Sequence, residues 1–383
     1  MSQPNRTTPL LLWGAMALGA IGVLTAYFKA TPERFWANWL FWFVLLITVS
    51  LGSLFLVALE HLVNAKWSVP IRRIPERIAT LAIPASVTGL VALGAIPVLY
   101  PGAKPEALHN KILAGKAFWL GFPFFSFRAT LSLVLVLVSV AVLVGGSFKQ
   151  DETKDPAFNI LARKFAPAFM AIFAIVITLV AFDWISGLTP EWYSDIFGVY
   201  LFAGAFLSGL AATSISVLRL QGEGRLKGVR RDHLYNLGGF LFAFTVFWSY
   251  IAFAQYMLMW YANLPEEVVY FQTRLTGTWH TLTILLAVLH FVMPFFALVT
   301  RDAKGDGRRL RRVALLMLGA HVLDMYWLIF PILPGGPHFA WPEISFALFF
   351  LSLALLWVRS ALQKGEDMPV GDPFLKEGLE FRL

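Results

Sequence analysis

Cysteine is missing altogether from the 383 residues. Its absence excludes thiolate-held iron–sulfur clusters, C-x-x-C-H haem attachment, Cys-based structural zinc and disulfides within this chain. Charge is scarce as well. Asp, Glu, Lys and Arg make up 14% of the sequence, where a typical soluble domain carries roughly 25%. A water-facing surface cannot be covered with so few charges. Disorder, a collagen-like repeat and a nucleic-acid-binding basic tail are excluded on composition too. The sequence contains no Walker motif, G-x-G-x-x-G or H-E-x-x-H, so nucleotide and zinc-protease chemistry have no support.

What is abundant is apolar surface, with 58% of residues from the set AVILMFWYC. The apolar runs are continuous, whereas the strands of a transmembrane barrel alternate apolar and polar positions. A helix crossing the hydrocarbon needs about 20 apolar residues. Segments meeting that length are 9–28, 35–59, 78–100, 124–146, 166–188, 193–218, 234–261, 275–299, 313–333 and 339–360. The reading is an all-α, polytopic membrane protein of about ten transmembrane helices. It forms one membrane domain over 1–360, with a tail over 361–383 expected to be a solvated extension able to dock on a partner. The first span is too long for a signal-peptide core and its basic flank is only Arg6, so it is expected to be a retained helix. Before the fourth span, 111–121 reads as a short interfacial stretch. Weak similarity between L-G-S-L at 51–54 and L-S-G-L at 207–210 suggests that helices 2–5 and 6–9 are repeated four-helix bundles.

Basic residues assign the two faces. Of 31 Lys and Arg, 24 fall on the side of the termini and seven on the other. By the positive-inside rule both termini are expected in the cytoplasm. The run R-R-L-R-R at 308–312 then suits lipid headgroups better than nucleic acid. Trp36, Trp39, Trp184, Trp192, Trp260, Trp279 and Trp341 lie near the opposite ends of the spans, as expected of an interfacial aromatic belt.

Ionisable residues inside the spans are the informative ones, since a mid-membrane Asp costs roughly 2.5–3.5 kcal/mol on insertion scales. His321 and Asp324 lie three apart, hence on one helix face, with Asp324 roughly 16 Å from the helix end and close to the midplane. A touching imidazole and carboxylate could exchange protons, or clasp two helices together. His290 precedes Pro294 by four residues; it could line a wet kink or bond to the carbonyl that proline frees. Asp183 could open to water or cap the next turn. Glu60 and His61 are expected in a solvated, interfacial position, and Glu343 as a helix N-terminal acid. His280 and His290 are about 15 Å apart on one helix and rotated by roughly 80°, so they cannot share a haem.

A set of longer segments carries a family resemblance. F-W-A-N-W-L at 35–40, W-S-V-P-I-R-R-I-P-E at 67–76, the block L-F-A-F-T-V-F-W-S-Y-I-A-F-A-Q-Y-M-L-M-W-Y-A-N-L-P-E-E at 241–267, H-F-V-M-P-F-F at 290–296 and H-V-L-D-M-Y-W at 321–327 together resemble the ActF-type membrane subunit of bacterial alternative complex III, a quinol:electron-acceptor oxidoreductase. The resemblance spans roughly 30–360. It implies an NrfD-like fold of two four-helix bundles with flanking helices, and a bacterial inner-membrane location. It also implies a chain without cofactors of its own, associated with a second NrfD-like subunit, an iron–sulfur subunit and c-type cytochrome subunits that hold the clusters and haem c. Menaquinol or ubiquinol would be oxidised by the complex, with the quinol site in the sister subunit. His290, His321, Asp324 and Asp183 match the family's polar membrane residues, candidates for a proton route.

Two other readings stay open. In one the chain itself binds quinol, lined by Asp183, Trp184 and Tyr193. In the other it is a proton-coupled secondary transporter; no pair of Gly/Pro-interrupted helices at matching positions favours that reading.

Overall fold

A computed structural model describes residues 7–109 and 111–383 of the chain. Arg6, the flank of the first span, lies outside the described residues. Those described are all helix and connecting turns, without a strand, and ten helices are long and apolar enough to cross a membrane. They are α1 (Pro9–Lys29), α2 (Pro32–Leu62), α3 (Val69–Leu99), α4 (Phe122–Thr153), α5 (Ala157–Leu188), α6 (Phe197–Gly222), α7 (Arg231–Ala262), α8 (Gly277–Leu298), α9 (Gly307–Ile332) and α10 (Trp341–Leu362). Several run well past the apolar limits read from sequence. Polar first turns are held by local caps: Thr31 Oγ1 accepts from the Arg34 amide, with Pro32 in the first turn. Asp306 accepts from the Arg308 and Arg309 amides, which hold its carboxyl below the usual range.

Helices α2–α5 pack round one another as a four-helix bundle and α6–α9 as a second, while α1 pairs with α10 on the flank. The bundles meet chiefly along α2 and α6. There the two small-residue motifs face each other. A Cβ built on Gly52 would stand 1.9 Å from the Ala205 carbonyl oxygen, and one on Gly209 would stand 2.5 Å from the Gly52 carbonyl carbon. Only glycine permits that approach of two backbones. The similarity noted between residues 51–54 and 207–210 is thus also a contact surface.

The bundles match in another respect. Their third helices, α4 and α8, are each interrupted by a π-helical turn, at Ala141–Gly145 and Val288–Val292. Their fourth helices, α5 and α9, each bury one aspartate, Asp183 and Asp324. In α8 the interruption lies just before Pro294, whose ring cannot sit in a regular helix without displacing the preceding turn.

Three expectations are corrected on the faces of the membrane domain. The tail is not a solvated extension, because Asp372 and Gly378 are buried and the segment is strapped across the basic face. Asp372 pairs with Arg72 and accepts from Asn159 at 2.8 Å. Asp367 pairs with Arg225, and Arg77 donates to the carbonyls of Leu362, Lys364 and Glu366. The carboxylate beside Arg225 holds its guanidinium above the usual value. Glu60 and His61 are not solvated either; both are buried under this strap-side surface. On the opposite face Trp260 and Trp341 are exposed as an interfacial belt requires, but Trp184, Trp192 and Trp279 are buried and serve the core. The 111–121 stretch does fold as a short helix, Lys111–Leu120, leading into α4.

Candidate functional site

The polar centre of the second bundle is built on α9 and completed by α2, α6, α7 and α8. Asp324 is wholly buried. Tyr200 of α6 donates to its Oδ1 at 2.5 Å and the indole N–H of Trp248 of α7 to its Oδ2 at 3.3 Å. Among the described residues no cation stands within ion-pair distance of it. His321, one helical turn away, pairs its Nε2 with Thr48 Oγ1 of α2 at 2.9 Å, while its Nδ1 has no hydrogen-bond partner among the described residues. A Cβ on Gly204 would lie 3.4 Å from His321 Nδ1 and 3.6 Å from Asp324 Oδ2. The two side chains therefore face the same small gap on α6. The expected shared face is present; the expected contact is replaced by bonds to Tyr200, Trp248 and Thr48.

His290 joins this centre from α8. Its ring stacks on Trp248, with centroids 3.9 Å apart and planes 25° from parallel. Both ring nitrogens lack a hydrogen-bond partner among the described residues, so the bond to the carbonyl freed by Pro294 is not made. An unpaired buried imidazole is costly, and here the π-helical turn presents it to the aromatic wall instead of the backbone. Asp324, His321 and His290 are thus brought together, with Trp248 as the piece that touches two of them.

Asp183 stands apart in the first bundle. Arg128 grips it as a fork, Nε to Oδ2 at 3.0 Å and Nη2 to Oδ1 at 2.9 Å, and Trp119 donates to Oδ1 at 3.0 Å. The guanidinium is sandwiched against Trp119 and Phe124, 3.9 and 4.5 Å from their ring centres. Asp183 therefore neither opens to water nor caps a turn. Nor does it share a lining with its sequence neighbours. Trp184 is packed between Phe43 and Phe125, and Tyr193 is exposed near Lys116. The contrast between the bundles is chemical. One aspartate is neutralised by a permanent cation, the other is held only by neutral O–H and N–H donors and can take up or release a proton.

Tyr200, Trp248 and Thr48 were not singled out by sequence reasoning. A hydroxyl or indole within an apolar helix carries no signal until its partner is known. Arg128 was not paired with Asp183 either, although a lone cation and a lone acid at the same end of neighbouring spans are a signal that could have found the pair. Glu343 is an N-terminal acid, as expected, and accepts from the Ala340 amide. It also binds Arg34 at 2.8 and 2.6 Å and Asn38 at 3.0 Å, fastening α10 to α2.

These features define a ten-span, all-helical membrane protein with a buried acid–histidine–aromatic centre on the seam between two bundles. No family model and no curated protein matches the chain.

Proposed function

We propose that the chain is an ActF-type, NrfD-like subunit of a bacterial quinol-oxidising complex of the alternative complex III type, cofactor-free itself, contributing assembly and a transmembrane proton route. It would sit in the inner membrane with its basic face in the cytoplasm. Electrons would pass through partner subunits carrying haem c and iron–sulfur clusters, from menaquinol or ubiquinol. The segments resembling that family support this reading, as does the division into two four-helix bundles.

The observation that carries the proton role is Asp324, buried without a counter-charge and bonded only to Tyr200 and Trp248. In this reading Asp324 holds the proton, the Tyr200 hydroxyl orients the carboxylate, and the open nitrogens of His321 and His290 receive or supply protons. Asp183, already paired with Arg128, is part of the scaffold and drops out of the route. Asp324→Asn can accept from Trp248 at its amide oxygen while its NH2 donates to the Tyr200 hydroxyl oxygen, and it cannot carry the proton. The complex should assemble normally, with quinol oxidation retained and coupled proton transfer into vesicles lost. Normal pumping by that variant, or no pumping by the native complex, would sink the proton role. Gentle detergent extraction tests the rest: co-elution with c-type cytochromes is expected, and a stable, solitary chain would favour the transporter.

A further inference from the structure

Beside the buried centre, α7 and α8 part company. They pack closely over the basic-side half of α8, from Val288 to Leu298, and separate over Gly277–Ala287. The gap is a cleft of about 520 Å³ floored by Tyr200, Trp248 and Trp327, a size in the range of small-molecule sites. Exposed Tyr250, Phe253 and Ala287 stand at its mouth. Their positions are mid-helix, so the mouth opens sideways into hydrocarbon, not toward water. The short helix Pro265–Arg274 roofs the cleft with Phe271. Arg274 pins that roof, donating to the carbonyls of Trp327 and Leu328 at 3.2 and 3.0 Å.

Most polar groups on the walls are already engaged. Tyr200 and Trp248 bond to Asp324, Trp327 donates to Thr283, and Ser249 donates to the Val246 carbonyl. Gln255 differs. It lines the cleft with a relative exposure of 6%, yet its carbonyl oxygen has no hydrogen-bond partner among the described residues. An amide acceptor buried in an apolar wall without a donor costs free energy that a ligand donor would return.

We propose that this lateral cleft is a binding site for a bilayer-borne amphiphile whose hydroxyl donates to Gln255 Oε1 while its apolar body lies between α7 and α8. Two sources share that chemistry, a hydroxyl on an aromatic ring and a hydroxyl on a glycerol head. The aromatic floor accommodates the first by stacking and the second by contact. The proposal needs only the cleft and Gln255, and stands independently of the complex proposed above.

The test uses the full chain in phosphatidylcholine nanodiscs, a lipid with no hydroxyl donor. Decylphenol and monoolein are the two probes, and decylanisole, the phenol with its hydroxyl capped, is the control. Competition is read against a photoreactive decylphenol whose attachment sites are mapped by mass spectrometry. Labelling should fall on 249–256 and 283–291. Decylphenol, monoolein or both should compete at least tenfold better than decylanisole, and which of them competes identifies the head. Gln255→Leu should weaken the competing probe about tenfold and leave decylanisole unchanged. Ala287→Phe, which fills the mouth from the other wall, should abolish labelling while thermal unfolding shows both variants folded. Equal competition by decylanisole, labelling elsewhere, or an unaltered affinity in the Gln255→Leu protein would overturn the proposal.

Discussion

Removing Arg128 should expose how strongly the first bundle depends on one ion pair. Arg128 is 6% and Asp183 1% exposed, so solvent cannot replace either partner. Arg128→Met takes away two hydrogen bonds and the cation over Trp119, and leaves Asp183 with the Trp119 indole alone. Breaking one side of a buried pair costs about 3–5 kcal/mol, and Asp183→Leu should cost a similar amount by stranding the cation. Replacing both with apolar side chains removes the stranded charge, so Arg128→Met/Asp183→Leu should lie within about 1–2 kcal/mol of the native chain. Arg128→Lys should fall between, keeping charge but losing the fork. The assay is reversible unfolding in mixed micelles titrated with dodecyl sulfate, followed by circular dichroism. The double-mutant cycle should give a coupling of at least about 3 kcal/mol. If the double variant loses the sum of the two single losses, the pair is not the interaction described and the reasoning fails.

Other perturbations separate packing from chemistry. Gly52→Ala places a methyl 1.9 Å from the Ala205 carbonyl oxygen and should destabilise the chain by about 3 kcal/mol or more through overpacking; thermal melts read this, and an unchanged melting point would contradict the crossing. Asp372→Ala leaves Arg72 with Glu76 but removes the tail's bonds to Arg72 and Asn159 and should free the tail, so limited proteolysis ought to cut within 361–383 first, while the native chain resists. Tyr200→Phe removes one of two donors to Asp324 and should slow coupled proton transfer with little effect on assembly, measured by proton release into vesicles at fixed quinol turnover.

The number and order of the spans were legible because hydrocarbon imposes a length and forbids unpaired polar groups, two constraints that act on contiguous sequence. The ends were less so. The segment from Val69 to Ala79 holds Arg72, Arg73, Glu76 and Arg77, which by composition belong to a loop; tertiary pairing with Asp151 and Asp372 lets it coil and be buried. Three of the cations counted for topology are therefore structural as well. At the centre, Asp324, His321 and His290 stood out because ionisable groups are rare in apolar helices. What could not be seen was that His321 turns to Thr48 on the far bundle and Asp324 to Tyr200 and Trp248, since periodicity gives a residue's face but not the neighbour across it. The open amide of Gln255 was equally hidden. It is notable only once its wall is known to face a gap.

The strap across the basic face has a temporal consequence. Residues 363–380 follow all ten helices in the chain, so they leave the ribosome after the spans. Until then Arg77 lacks the carbonyls of Lys364 and Glu366, Arg225 lacks Asp367, Arg72 and Asn159 lack Asp372, and Asp151 lacks the Gly371 amide. The start of α3 and the connection of α6 to α7, together with the end of α4 and the start of α5, are thus stitched together in a closing step. Newly synthesised chains will pass through a stage in which the basic ends of the bundles are loose until the tail reaches them.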